Sequence, residues 1–113
     1  VEMTRVGEHP ADLTLLQNGR LLLTFGRRIR PMGCGLLFSD DYGKTWDKNH
    51  EILLAGDGVR NGDLGYPSTV QLDNGQIVTI LYYASGSDAS GDYWGWGDIS
   101  LQAIRYTEAE ITA

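Results

Sequence analysis

Residues 39–46 read Ser39-Asp40-Asp41-Tyr42-Gly43-Lys44-Thr45-Trp46. This stretch decides the fold, because its chemistry builds a tight connection between two strands. Asp41 offers a carboxylate to backbone N–H groups one or two residues on, Gly43 supplies a position with φ > 0, and Ser39 and Thr45 add short-range hydroxyls. Trp46 is expected to turn a large apolar face back into the core and hold the hairpin down. These roles are structural, and none of them requires a ligand.

The same economy of strand and turn appears on both sides of that stretch. Leu13 to Leu16 reads as a short apolar strand, Asn18-Gly19 as a hairpin turn that tolerates positive φ, and Leu21 to Phe25 as the returning strand. Ser68 to Leu72, Asn74-Gly75 and Ile77 to Tyr83 repeat the plan. Leu16, Asn18, Gly19, Leu21 and Leu22 match Leu72, Asn74, Gly75, Ile77 and Val78 at a constant offset of 56, and Pro10 matches Pro67 with one residue of slack. A repeat of this length is what an array of four-stranded units produces. Gly35 to Ser39 and Ile99 to Tyr106 read as third strands, and Ile52 to Ala55 as a fourth. The 15 glycines fall mostly between these segments, as turns demand. No window of about ten residues holds a 3.6 period, so no helix is expected. The fold class is all-β.

The pattern Ser-x-Asp-x-Gly-x-Thr-Trp over residues 39–46 resembles the Asp-box of sialidase-like (BNR-repeat) β-propellers, and residues 9–26 and 63–83 look like successive blade openings of that family. The resemblance implies two four-stranded antiparallel blades of a sialidase-type six-bladed β-propeller. Blade one would cover about residues 9–60 with the Asp-box, and blade two about 63–113, within a single domain 1–113. Two blades leave sheet faces and edges open. The resemblance therefore implies completion of the ring, either by oligomerisation as a homo-oligomer, a trimer of two-blade chains, or by missing parts of a longer parent.

What the resemblance implies for function centres on Gly26-Arg27-Arg28-Ile29-Arg30-Pro31, a cationic run in an acidic chain. A guanidinium fork holds a carboxylate through two parallel hydrogen bonds, which is how a sialic-acid carboxylate would be bound. Arg28 stands where relatives often carry an arginine after the strand, and Arg105 is a second choice. The segment Asp63-Leu64-Gly65-Tyr66-Pro67-Ser68 would bring Asp63 and Tyr66 to the mouth of the propeller. Tyr82 and Tyr83 point to opposite faces by strand alternation, one to the core and one to the mouth, and Tyr83 is counted with the substrate-binding residues. The loop from Ala84 to Gly97 carries Trp94 and Trp96, with Asp88 and Asp92 nearby. These aromatics suit stacking on a sugar ring, or packing over a blade edge or intersubunit seam.

Catalysis is harder to place. The family departs from paired carboxylates by using a tyrosine nucleophile backed by a glutamate, with an aspartate as acid and base. In this chain the opening Arg-Ile-Pro motif is replaced by Tyr66-Pro67-Ser68, and the blade that carries the aspartate has no counterpart. Glu51, the only glutamate between residues 9 and 107, follows the Asp-box on the outer side of a blade, and Gly35 stands where relatives tend to carry a basic residue. No catalytic residue is assigned. The expectation is a sialidase-like module without turnover of its own. The alternative is a carbohydrate-binding or scaffold homo-oligomer with sites repeated between blades.

Composition narrows the partners. A net charge of −6 and a pI near 4.6 argue against a duplex nucleic-acid binder. No apolar run has membrane-spanning length, and Val1 to Pro10 has no signal-peptide character. Localisation stays open, although the family is often exported. Cys34 is the single cysteine, so it forms no internal disulfide, and between Gly33 and Gly35 it is read as a passive loop residue. Asp57, Asn61 and Asp63 fail the calcium-loop pattern because Val59 and Ser68 occupy ligand positions. The expected partner is a carbohydrate, with no metal and no cofactor.

Overall fold

The computed structural model describes residues 10–58, 64–85 and 98–112. It holds two antiparallel sheets. Strands β1 (Ala11–Leu15), β2 (Leu21–Arg27), β3 (Gly33–Ser39) and β4 (Ile52–Ala55) form the first, in the order β1-β2-β3-β4. Strands β5 (Gly65–Gln71), β6 (Ile77–Ser85) and β7 (Asp98–Tyr106) form the second, in the order β5-β6-β7. The second sheet therefore has three strands among the described residues, where the sequence suggested four. Each strand pairs with its sequence neighbour, as short connections favour.

The two leading hairpins are copies at the level of single hydrogen bonds. Leu16 N–H donates to the Arg20 carbonyl at 2.9 Å, and Leu72 N–H to that of Gln76 at 2.7 Å. Asn18 Oδ1 accepts from Arg20 N–H and Asn74 Oδ1 from Gln76 N–H, both at 3.0 Å. Gly19 and Gly75 share φ +88° while neither asparagine is left-handed. Each connection is thus a longer loop closed by a left-handed glycine rather than a two-residue primed turn.

Residues directly opposite in neighbouring strands share a face, which orients both sheets. In the first sheet Thr14, Leu22 and Phe38 lie in one row and Thr24, Leu36 and Ile52 in another. In the second, Gln71, Ile77 and Tyr106 form one row and Thr69, Thr79 and Ile104 the next. These inner faces meet, and Leu16, Leu22, Leu36, Phe38, Ile77 and Tyr106 form the buried centre. Cys34, Leu64, Leu81 and Tyr83 extend it toward one end of the sheets.

Between the sheets runs a chain of hydroxyls. Thr24 Oγ1 lies 3.1 Å from Thr69 Oγ1, which lies 2.9 Å from Thr79 Oγ1, which lies 2.8 Å from the Tyr106 hydroxyl. The chain satisfies polar atoms that burial would otherwise strand. Thr79→Val keeps the shape but leaves the Tyr106 hydroxyl without this partner, so a loss of about 1–3 kcal/mol is expected from urea unfolding. Thr79→Ser, which keeps the hydroxyl, is expected to restore most of that loss beyond the missing methyl.

The opposite faces carry large apolar side chains in the open. On the first sheet Leu13, Leu15 and Leu53 are 57%, 61% and 47% exposed; on the second Val70, Ile80 and Leu101 are 53%, 43% and 73% exposed. Exposed rows of this kind are uncommon on the surface of a globular domain.

The Asp-box closes β3 as its chemistry requires, with two corrections. Asp41 takes its hydrogen bonds from Thr45, four residues on, through the backbone N–H at 2.9 Å and Oγ1 at 2.6 Å, while Ser39 Oγ donates to Asp41 Oδ1 at 2.8 Å. These bonds, led by the Thr45 hydroxyl, hold the Asp41 carboxyl down at about 2. Gly43 is left-handed at φ +85°, as expected, and its N–H donates to Ser39 Oγ at 2.8 Å. Trp46 is half-buried and stands outside the two buried clusters, close over Gly43 rather than deep in the core.

A short helix, α1 (Glu108–Thr112), corrects the expectation of none. Thr107 and Glu110 cap it reciprocally, Thr107 N–H donating to Glu110 Oε2 at 2.6 Å and Glu110 N–H to Thr107 Oγ1 at 3.2 Å. This is the Thr-x-x-Glu capping box, a signal too short to register in a search for periodicity. Glu108 joins α1 to the first hairpin by an ion pair with Arg20 and by accepting from Asn18 Nδ2 at 2.7 Å.

Candidate functional site

The start of β1, the end of β2 and the start of β5 converge at one end of the sheets, opposite the Asp-box and the glycine hairpins. Gly26 N–H donates to the Pro10 carbonyl at 2.8 Å. Gly65 presses against the same place, for a Cβ on it would stand 2.9 Å from Gly26 Cα. Gly65 has φ +116° and Tyr66 φ +52°. Two successive left-handed residues, one of them a tyrosine, store strain that the surroundings must hold. The twist turns the Tyr66 ring outward, 62% exposed.

Arg28 completes the junction. Its Nε donates to the Leu64 carbonyl at 3.3 Å, and its guanidinium carbon lies 5.7 Å from the centre of the Tyr66 ring. That distance is within the reach of a cation–π contact. Leu64 is fully buried beneath, so the carbonyl that orients the guanidinium is fixed by the core.

The neighbouring arginine goes elsewhere. Arg27 Nη1 pairs with Glu51 at 2.5 Å, and Nη2 donates to the Arg30 carbonyl at 3.1 Å. Its Nε is buried with no hydrogen-bond partner. The pair lies beside Gly35 on the outward face of the first sheet, where a Cβ on Gly35 would come within 2.9 Å of Glu51 Oε1.

Tyr83 points inward and is 1% exposed. Its hydroxyl donates to Asp57 Oδ1 at 2.5 Å and accepts from Asp57 N–H at 3.0 Å. Burial first, then the bond to Asp57, pushes the phenol well above its ordinary value, so it stays protonated and clamps the segment after β4. Tyr82, its neighbour, is half-buried on the other face. Arg105 is exposed on the outward face of the second sheet opposite Val78, apart from Arg28. Asp63, Trp94 and Trp96 lie outside the described residues. The structure thus brings together Arg28 and Tyr66 from the expected set. It adds Leu64 and Gly65, whose roles rest on a carbonyl direction and a backbone angle.

Cys34 lies within β3 rather than in a loop, is fully buried, and has its thiol pushed up to about 11 by desolvation. Among the described residues no group of three or more His, Cys, Asp or Glu side chains is placed to hold a metal ion. No helix among them is long and apolar enough to cross a membrane. A cleft of about 480 Å³ lies at the Asp-box end between β4 and α1, with Phe38, Ile52 and Ile111 as its apolar floor and Asp47 and His50 on its rim. Arg28 does not line it.

No family model matches the chain, and no curated protein matches it. A solved structure does, a protein of unknown function from Dyadobacter fermentans DSM 18053, 27% identical with a TM-score of 0.66. The match covers 87% of this chain and 24% of that one, so the chain spans about a quarter of that protein's length.

Proposed function

We propose that the two sheets are neighbouring blades of a sialidase-type β-propeller, and that Arg28 with Tyr66 forms one wall of a carbohydrate-binding mouth that takes a carboxylate-bearing sugar. The observation that carries this reading is the junction itself: a guanidinium oriented by a buried carbonyl beside an exposed, strained tyrosine, where two sheets open at the same end. An aromatic face and a planar cation are the two elements that an acidic sugar uses. The Asp-box at the far end of the same sheet and the apolar outer faces support the blade reading.

The reading is one of binding rather than turnover. Tyr83 is buried and held protonated, and Glu51 is engaged by Arg27 on an outward face. Neither is placed to act as a nucleophile and its base beside Arg28.

The test titrates the chain with N-acetylneuraminic acid and, separately, with its methyl ester, followed by amide chemical shifts. The acid is expected to bind and the ester to bind weakly. Arg28→Ala is expected to lower affinity for the acid about 10- to 100-fold, the loss of a charge-assisted pair. Equal binding of acid and ester, or an unchanged affinity in Arg28→Ala, would overturn the reading.

A further inference from the structure

Asp57 and Tyr83 stand where the segment after β4 meets the buried edge of the candidate site. The Tyr83 hydroxyl, on the inward side of β6, donates to Asp57 Oδ1 at 2.5 Å and accepts from Asp57 N–H at 3.0 Å. The next residue is tied elsewhere, because Gly58 N–H donates to the Met32 carbonyl at 2.9 Å. Residues 57 and 58 are therefore held from two directions, by β6 on one side and by the residue that leads into β3 on the other.

That grip reaches Arg28 through Leu64. A Cβ on Gly58 would overlap Leu64 Cδ2, so the Gly58 backbone is one wall of the space that the leucine fills. Leu64 is fully buried and shares its cluster with Cys34, Leu81 and Tyr83. A side chain enclosed at this density has little room to shift, and the direction of its carbonyl follows. On the far side of that carbonyl Gly65 is pressed close to Gly26 and Pro10. The carbonyl accepts from Arg28 Nε, and the guanidinium stands beside the Tyr66 ring. The contacts run in the order Tyr83, Asp57, Gly58, Leu64, Arg28.

We propose that Tyr83 and Asp57 are positioning residues for Arg28: together they hold Gly58 against Leu64 and so fix the carbonyl that aims the guanidinium. Tyr83 thus serves the site from beneath, without touching a ligand. A binding constellation keeps its geometry only where the residues that support it are themselves locked by packing and hydrogen bonds. The inference rests on the sugar-binding reading for the use to which Arg28 is put, but the aim of Arg28 is measurable with no sugar present.

The test reads the exchange of the Arg28 Nε–H with water by nitrogen-15 NMR of the full chain, in mildly acidic buffer at low temperature. A bond to a fixed carbonyl slows that exchange, and in the wild type it is expected to be at least about fivefold slower than for the exposed Arg105. Tyr83→Phe keeps the ring but removes both bonds to Asp57, and is expected to speed the exchange about fivefold. Asp57→Ala is expected to act in the same direction. Asp57→Asn, whose side-chain oxygen still accepts from the phenol, is expected to restore most of the wild-type value. Thr79→Val weakens the hydroxyl chain between the sheets and is expected to leave the Arg28 signal unchanged, which separates positioning from a general loss of stability. Cooperative urea unfolding establishes that each variant is folded; should Tyr83→Phe fail to fold, Asp57→Ala against Asp57→Asn carries the test. A wild-type exchange as fast as that of Arg105, unchanged exchange in the folded variants, or equal acceleration in Thr79→Val would each overturn the inference.

N-acetylneuraminic acid then separates this inference from the reading on which it rests. Tyr83→Phe is expected to lower affinity for the acid about fivefold, with binding of the methyl ester unchanged. Faster exchange in Tyr83→Phe with no acid bound by the wild type would leave the positioning inference standing and overturn the sugar-binding reading. Acid binding that is lost in Arg28→Ala, beside unchanged exchange in Tyr83→Phe, would do the reverse.

Discussion

Gly33→Ala is expected to destabilise the chain by about 3 kcal/mol or more, at or beyond the upper end of ordinary overpacking. A Cβ on Gly33 would stand 1.8 Å from the Ala55 carbonyl oxygen and 2.5 Å from its carbon. Both atoms are backbone, so no side chain can rotate away, and β4 has to leave β3 beside the bulge at Cys34/Gly35. Urea unfolding followed at constant pH gives the loss directly. Gly19→Ala provides the contrast: nothing lies within 4 Å of the added methyl, and the penalty comes only from φ +88°. There the expected cost is about 1 kcal/mol. If Gly33→Ala costs no more than Gly19→Ala, the close approach of β3 and β4 is not what the structure describes.

The strands were legible in the sequence because short apolar runs bounded by Asn-Gly leave little freedom. Ile52–Ala55 emerges with its expected bounds, and the others differ by a few residues at their ends. The offset of 56 survives in the hydrogen bonds of both hairpins. What escaped was conformation without a compositional sign. Gly33 looks like a loop residue and Gly35 like the first residue of a strand, yet both sit inside β3, where a carbonyl and the Phe25 ring occupy the space of their side chains. Alternation placed Tyr82 and Tyr83 on opposite faces without saying which was inward; the partner Asp57, 26 residues away, decides that. Arg27 and Arg28 are adjacent, and adjacency in a strand end is what divides them, one to Glu51 and one to Leu64 and Tyr66. The capping box of α1 was present in the letters Thr107-Glu108-Ala109-Glu110, but five helical residues carry no period.

Alkaline titration is expected to unfold the chain over a narrow range above pH 9, because several buried acids must lose protons that the core keeps. Desolvation raises the Cys34 thiol from 9.0 to about 11 and the Tyr106 phenol from 10.0 to about 12. Tyr83 is raised as well, by burial and by its bond to Asp57. A group whose folded pKa is raised binds its proton more tightly when folded, so its contribution is complete below the unfolded pKa and is lost as pH climbs through the folded value. For Cys34 that window runs from 9.0 to about 11 and is worth about 2–3 kcal/mol. Tyr106 adds a similar loss from 10.0 to about 12. Against a total stability of about 5–15 kcal/mol for a domain, these losses are enough to move the transition. Urea midpoints at pH 8, 9, 10 and 11 should therefore fall steadily, with the fall beginning at the thiol. Cys34→Ala starts from a lower stability because it leaves a small void, but its midpoint should fall less than that of the wild type between pH 9 and 10, where the thiol contributes the larger part of the loss. A wild-type midpoint unchanged to pH 11 would mean that Cys34 and both tyrosines reach water, and that the two sheets do not close over them as a single core.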